Sequence, residues 1–100
     1  MLKHIVMWRL KDEAEGATKA ENAKKMKEML EALPAKVAGV LKLEVGINVV
    51  ESETCSDVCL YSEFNNLEEM DAYQAHPEHQ KCVAFIKMVV TERRATDYEC

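Results

Sequence analysis

The sequence predicts an α+β fold: one four-stranded antiparallel sheet with helices over one face, in the order β-α-β-β-α-β. Three observations carry this reading. Apolar and polar residues alternate strictly over Leu41–Val49. Apolar residues recur at helical spacing from Ala23 to Val37. A second helical region from Leu67 to Val90 is divided by Pro77 and follows another β-branched and aromatic run.

The first element is His4-Ile5-Val6-Met7-Trp8-Arg9-Leu10, which contains no breaker. As a strand it places His4, Val6, Trp8 and Leu10 on one side and Ile5 and Met7 on the other. Thr18 with Glu21 three residues later has the capping-box pattern that opens a helix. Ala23, Met26, Leu30, Leu33 and Val37 form its apolar stripe, with Lys24, Lys25, Lys27, Glu28 and Glu31 opposite. Pro34 ends or loosens this helix, and Gly39 turns the chain into the next strand.

In that strand Leu41, Leu43, Val45, Ile47 and Val49 alternate with Lys42, Glu44, Gly46 and Asn48. The polar stretch Glu51–Asp57 is a loose hairpin connection to a third strand, Val58–Phe64. Asn66, with Glu69 three residues on, caps a helix from Leu67 to about Ala75. A new helix starts at Pro77, with Cys82, Val83, Phe85, Ile86, Val89 and Val90 along its buried side. The last strand runs over about Glu92–Tyr98, although Arg93 and Arg94 interrupt its apolar pattern.

This order is the split-βαβ, or ferredoxin-like, arrangement. Its helices cover only one face of the sheet. Ile5 and Met7 on the first strand, and Cys59 and Tyr61 on the third, put apolar groups on the other face as well. Packing two such faces together about a two-fold axis removes the exposed patch, so a homodimer is expected.

The 100 residues suffice for one domain, spanning 1–100, whose core buries about 65% of the unfolded chain's surface. Apolar residues at 48% and charged residues at 31% exclude a disordered chain. Thirteen Lys and Arg against eighteen Asp and Glu leave a charge of −5, which disfavours nucleic acid as a partner. No apolar stretch approaches the length of a membrane span, and the N-terminus reads as a strand rather than a signal peptide. Cys55, Cys59, Cys82 and Cys100 have neither zinc-ligand spacing nor a disulfide framework, which points to the reducing cytoplasm.

Two of the three histidines lie in Tyr73-Gln74-Ala75-His76-Pro77-Glu78-His79. His76, immediately before Pro77, is placed to cap the following helix. His79 falls in that helix's first turn, where the dipole opposes a positive charge and favours a neutral, basic imidazole. The Tyr73 hydroxyl can converge on the same space and hold an enolate or phenolate by hydrogen bond while His79 takes a proton. The alternative is structural: His79 bonds a backbone carbonyl and Tyr73 is a half-buried packing ring. His4 shares a strand face with Val6 and Trp8. With Met26, Cys82 and Val83 these residues are the candidate wall of a small-molecule pocket. No phosphate-binding glycine loop, nucleophile elbow or metal-ligand spacing is present, so no metal or cofactor is expected.

With these elements in place the chain resembles the stress-responsive α/β-barrel domain (Dabb) family. The similar segments are Lys3–Lys11, Gly39–Asn48, Tyr73–His79 with its His76-Pro77-x-His79, and Val90–Glu99. The resemblance implies a ferredoxin-like fold that dimerises into an α/β barrel. One plant branch of the family is a polyketide cyclase that works without a cofactor. Its acid-base Tyr and His match Tyr73 and His79, and its first-strand pocket histidine matches His4. The pocket aromatics of that branch's first helix are replaced here by small or polar groups around Asn22, Ala23 and Met26. Three functions follow as expectations: a small-molecule-binding homodimer of unassigned reaction, a cofactor-independent cyclase or lyase taking a small aromatic or carbonyl compound, and a monooxygenase-like activity.

Overall fold

A computed structural model describes residues Met1–Cys100. Strand β1 spans Leu2–Leu10 and is followed by a small hairpin, β2 Glu13–Ala14 and β3 Ala17–Thr18. Helix α1 covers Lys19–Glu31, and a 3-10 turn Leu33–Ala35 leads to β4, Lys42–Ile47. Strand β5 is Val58–Phe64, α2 is Leu67–Ala75, α3 is Pro77–Val89 and β6 is Val90–Glu99. The main sheet has the order β4-β5-β1-β6, with antiparallel pairing throughout. This is the ferredoxin-like, four-stranded α+β arrangement that the sequence predicts.

Local chemistry explains the helix boundaries. Thr18 Oγ1 accepts from the Glu21 amide at 3.2 Å, and the Glu21 carboxylate accepts from the Thr18 amide at 3.0 Å, completing the capping box. Asn66 Oδ1 accepts from the Glu69 amide at 2.9 Å and starts α2. Pro77 is the first residue of α3, where its missing N–H costs nothing. At Gly39 the backbone has φ +97°, and a Cβ there would lie 2.5 Å from Glu69 Oε2. The positive φ is what calls for glycine here, since a Cβ would also have to displace the end of the Glu69 side chain.

The covered face of the sheet carries Leu2, Val6, Trp8 and Leu10 from β1 and Val58, Leu60 and Phe64 from β5. Met26 and Leu30 of α1, Tyr73 of α2 and Val89 of α3 close over them. Full burial of a ring such as Phe64 contributes about 2–3 kcal/mol relative to exposure. On the other face Ile5, Cys59 and Tyr61 are half-buried and Met7 is 44% exposed.

Besides β1, which starts at Leu2 rather than His4, three elements differ from expectation. The β2–β3 hairpin has arms of two residues, too short for any alternation, and turns through Glu15 and Gly16 at positive φ. The alternating run Leu41–Val49 is strand only to Ile47; Val45 is its one buried side chain and Val49 is 94% exposed. As the edge strand, β4 has only part of its length under α1, where Glu31 and Lys27 bond the Val45 backbone. Strand β6 is longer than expected and starts directly at the end of α3. It too is an edge strand, so its arginines lie where water reaches them.

Candidate functional site

A cavity of about 460 Å³ lies between the covered face of the sheet and α3. Alternation along β1 delivers His4, Val6 and Trp8 to its floor, and Leu60 of β5 adjoins them. Helical spacing along α3 delivers His79, Val83 and Ile86 to the facing wall. Leu30 of α1 closes one side, while Gln74, Gln80, Lys87, Val90 and Arg93 border the rest. This volume and largely apolar lining suit a small organic ligand.

His79 is half-buried in the first turn of α3, with Nδ1 3.1 Å from the Gln74 carbonyl oxygen. A carbonyl only accepts, so Nδ1 carries the ring proton and Nε2 keeps its lone pair. Burial pushes the His79 pKa below its ordinary value; the Gln74 carbonyl opposes this, and the neighbouring His4 and Arg93 add to it. The position in the first turn of α3 leads one to expect the helix dipole as the cause, whereas desolvation is the leading one.

His4 is 2% exposed, and its Nδ1 is joined to the carboxylate of Asp97, its register partner on β6. The Tyr73 hydroxyl is the one buried side-chain oxygen or nitrogen without a hydrogen-bond partner. The unbonded Nε2 atoms of His4 and His79 are therefore not sealed in the core, and both residues border the cavity. Rings connect the two sides: His4 to Phe64 at 6.5 Å, Phe64 to Tyr73 at 5.1 Å and Tyr73 to His79 at 4.7 Å.

The structure thus brings His4, Val6, Trp8, His79 and Val83 to one cavity. Tyr73 is placed differently: it is wholly buried behind His79, and burial raises its pKa well above the phenol range. Its hydroxyl stays protonated and contacts no other polar group. Met26 and Cys82, expected at the wall, lie instead in the core. Met26 faces the sheet from the buried stripe of α1, and Cys82 points toward α1, its Sγ 3.8 Å from the Met29 carbonyl oxygen. His76 caps α3 as predicted, Nδ1 accepting from the Glu78 amide at 3.1 Å.

Sequence reasoning missed Gln74, Gln80, Lys87 and Arg93 at the cavity and Asp97 behind His4. Gln80, Val83 and Lys87 recur at three and four along α3, so helical spacing already held that signal. Asp97 is found only through the β1–β6 register, which no short hairpin fixes. No group of three or more His, Cys, Asp or Glu gathers into a metal-binding cluster. No helix is long and apolar enough to cross a membrane.

No curated protein is similar in sequence to this chain. A dimeric protein of unknown function and ferredoxin-like fold from Bacteroides fragilis is 36% identical, with a TM-score of 0.87 over 99% of this chain and 95% of that one. A dimeric ferredoxin-like protein of unknown function from Thermobifida fusca is 20% identical, with a TM-score of 0.83 over 99% and 90% of the two chains. The hydroxynitrile lyase of Passiflora edulis is 11% identical, with a TM-score of 0.79 over 97% and 90%. At these last two identities the likeness is one of fold alone. Residues 2–100 match the model of the Stress Responsive A/B Barrel Domain, and the chain belongs to that family.

Proposed function

We propose that this protein is a single-domain homodimer that binds a small molecule bearing a carbonyl or phenolic oxygen in the cavity between β1 and α3. The observation that carries this reading is the fixed tautomer of His79. With Nδ1 committed to Gln74, Nε2 is the free basic atom of a neutral ring at an apolar wall. A ligand hydroxyl or enol can donate to it, while Val6, Trp8 and Val83 receive the apolar body. The half-buried Ile5, Cys59 and Tyr61 with exposed Met7 on the open sheet face support assembly with a second copy. The dimeric relatives of the same fold support it too. Four free cysteines suit the expected cytoplasmic setting.

The same imidazole favours a second reading, cofactor-independent proton transfer of the cyclase or lyase kind. His79 Nε2 would accept a proton from an acidic C–H or O–H, and the resulting oxyanion would be stabilised by a hydrogen-bond donor. The protonated, unpartnered hydroxyl of Tyr73 is such a donor, provided the His79 ring moves to admit the ligand. Oxygen chemistry of the monooxygenase kind has only the shared fold in its favour.

The test is thermal unfolding of wild type and His79→Ala against aromatic acids, phenols and β-diketones. A ligand at a hundred times its Kd stabilises the native state by about 2.7 kcal/mol, which raises the midpoint of a domain this size by several degrees. The expected result is a raised midpoint in the wild type and none in a folded His79→Ala variant. A panel that leaves the wild type unmoved sinks the reading. Turnover of a compound that binds separates the second reading from the first.

A further inference from the structure

The chain carries a net charge of −5, yet the charged side chains at the cavity, Lys87 and Arg93, are both cations, apart from its histidines. Neither belongs to an ion pair, although both other arginines, Arg9 and Arg94, and several lysines do. Lys87 lies in the last turn of α3 and Arg93 near the start of β6, so the two flank the reversal at Val90. Arg93 is the register partner of Trp8, which puts it beside the cavity floor. The nearby carboxylates are committed elsewhere. Glu92 pairs with Arg9 and Arg94, and Asp97 holds His4. Arg93 also helps to lower the pKa of His79, so its charge is felt across the cavity.

We infer that the cavity selects an organic carboxylate with a flat apolar body, the carboxylate held at the mouth by Arg93 and Lys87 and the far oxygen at His79. This deepens the small-molecule reading and rests on it. A guanidinium presents a planar fork that matches a carboxylate, and the lysine adds a point charge from the opposite wall. Both side chains reach solvent, so their attraction is partly screened and sets selectivity more than total affinity.

The test uses para-coumarate, which has a phenol at one end and a carboxylate at the other, beside its neutral amide of matched shape. Binding of each is measured by calorimetry to wild type, Arg93→Gln, Lys87→Gln and His79→Ala, at low and high salt. Both cation variants are at exposed positions, and their thermal midpoints without ligand verify that they fold. The acid is expected to bind about tenfold more tightly than the amide, equivalent to about 1.4 kcal/mol. That advantage is expected to shrink at high salt and in both cation variants. Equal binding of acid and amide, each lost in His79→Ala, overturns the carboxylate inference and leaves the small-molecule reading standing. An advantage that survives both cation variants overturns the assignment to Arg93 and Lys87. Binding of neither compound counts against this inference and the reading beneath it together, and the wider ligand panel then decides the latter alone.

Discussion

His4 on β1 and Asp97 on β6 face each other in the antiparallel register, and the Asp97 carboxylate accepts the Nδ1–H of His4. The two ends of the pair differ in surroundings: the His4 side chain is 3% exposed, while the Asp97 side chain is 37% exposed at the edge strand. An imidazole N–H left without its acceptor inside the fold costs about 1–3 kcal/mol. Water can reach the Asp97 position, so Asp97→Ala is expected at the low end, about 1 kcal/mol. Asp97→Asn keeps an accepting oxygen and should fall between. Urea unfolding checks this order, and an Asp97→Ala variant as stable as wild type would show that the pair does not support the fold.

Tyr73→Phe should behave oppositely. The Tyr73 hydroxyl is buried without a partner, and a buried polar group in that state costs free energy. Removing it leaves the packing of the ring against Phe64 and His79 in place. The variant is expected to be as stable as wild type or up to about 1 kcal/mol more stable, measured by urea unfolding. A large loss of stability would mean that the hydroxyl bonds something within the native fold.

The pH dependence follows from His79. Its pKa is lowered in the folded state, chiefly by burial, so the unfolded chain binds more protons between the folded value and about 6.5. Stability therefore rises with pH through that window. The contribution is complete above the unfolded pKa and is lost as pH falls through the folded one. Proton NMR of the imidazoles should show His79 titrating below the usual histidine range. Replacing it by Gln should flatten the acid side of the stability curve; an unchanged slope would assign that dependence to other groups.

What could be read in advance was local. The capping box at Thr18, the Asn66 cap and the break at Pro77 each act within four residues, and their chemistry places α1, α2 and α3. Strand β5 spans the residues expected because its alternation coincides with complete cover on one face. Burial, by contrast, depends on neighbours distant in sequence. Val49 continues a clean alternating pattern yet stands in water, because it lies beyond the end of an edge strand. Met26 and Cys82 lie on apolar helix stripes, but which side of a stripe meets the cavity is decided by how α1 and α3 pack. Asp97 came into view only when β6 paired with β1.

The open sheet face offers a last prediction. Met7 lies on β1, a central strand, with Cys59 on one side and Arg94 on the other in the register. At 44% exposure it is the most exposed apolar side chain of β1. If a second copy packs here about a two-fold axis, each Met7 lies near the middle of the contact, and Met7→Glu would bring carboxylates into a face that must shed its water. Light scattering should find the wild type at twice the 11.4 kDa chain mass and Met7→Glu at the single-chain mass. The variant should also unfold at a lower temperature, because loss of the partner removes stabilisation that depends on protein concentration. A wild type that scatters as a single chain at every concentration would remove the dimer from the proposal and leave the face to another partner.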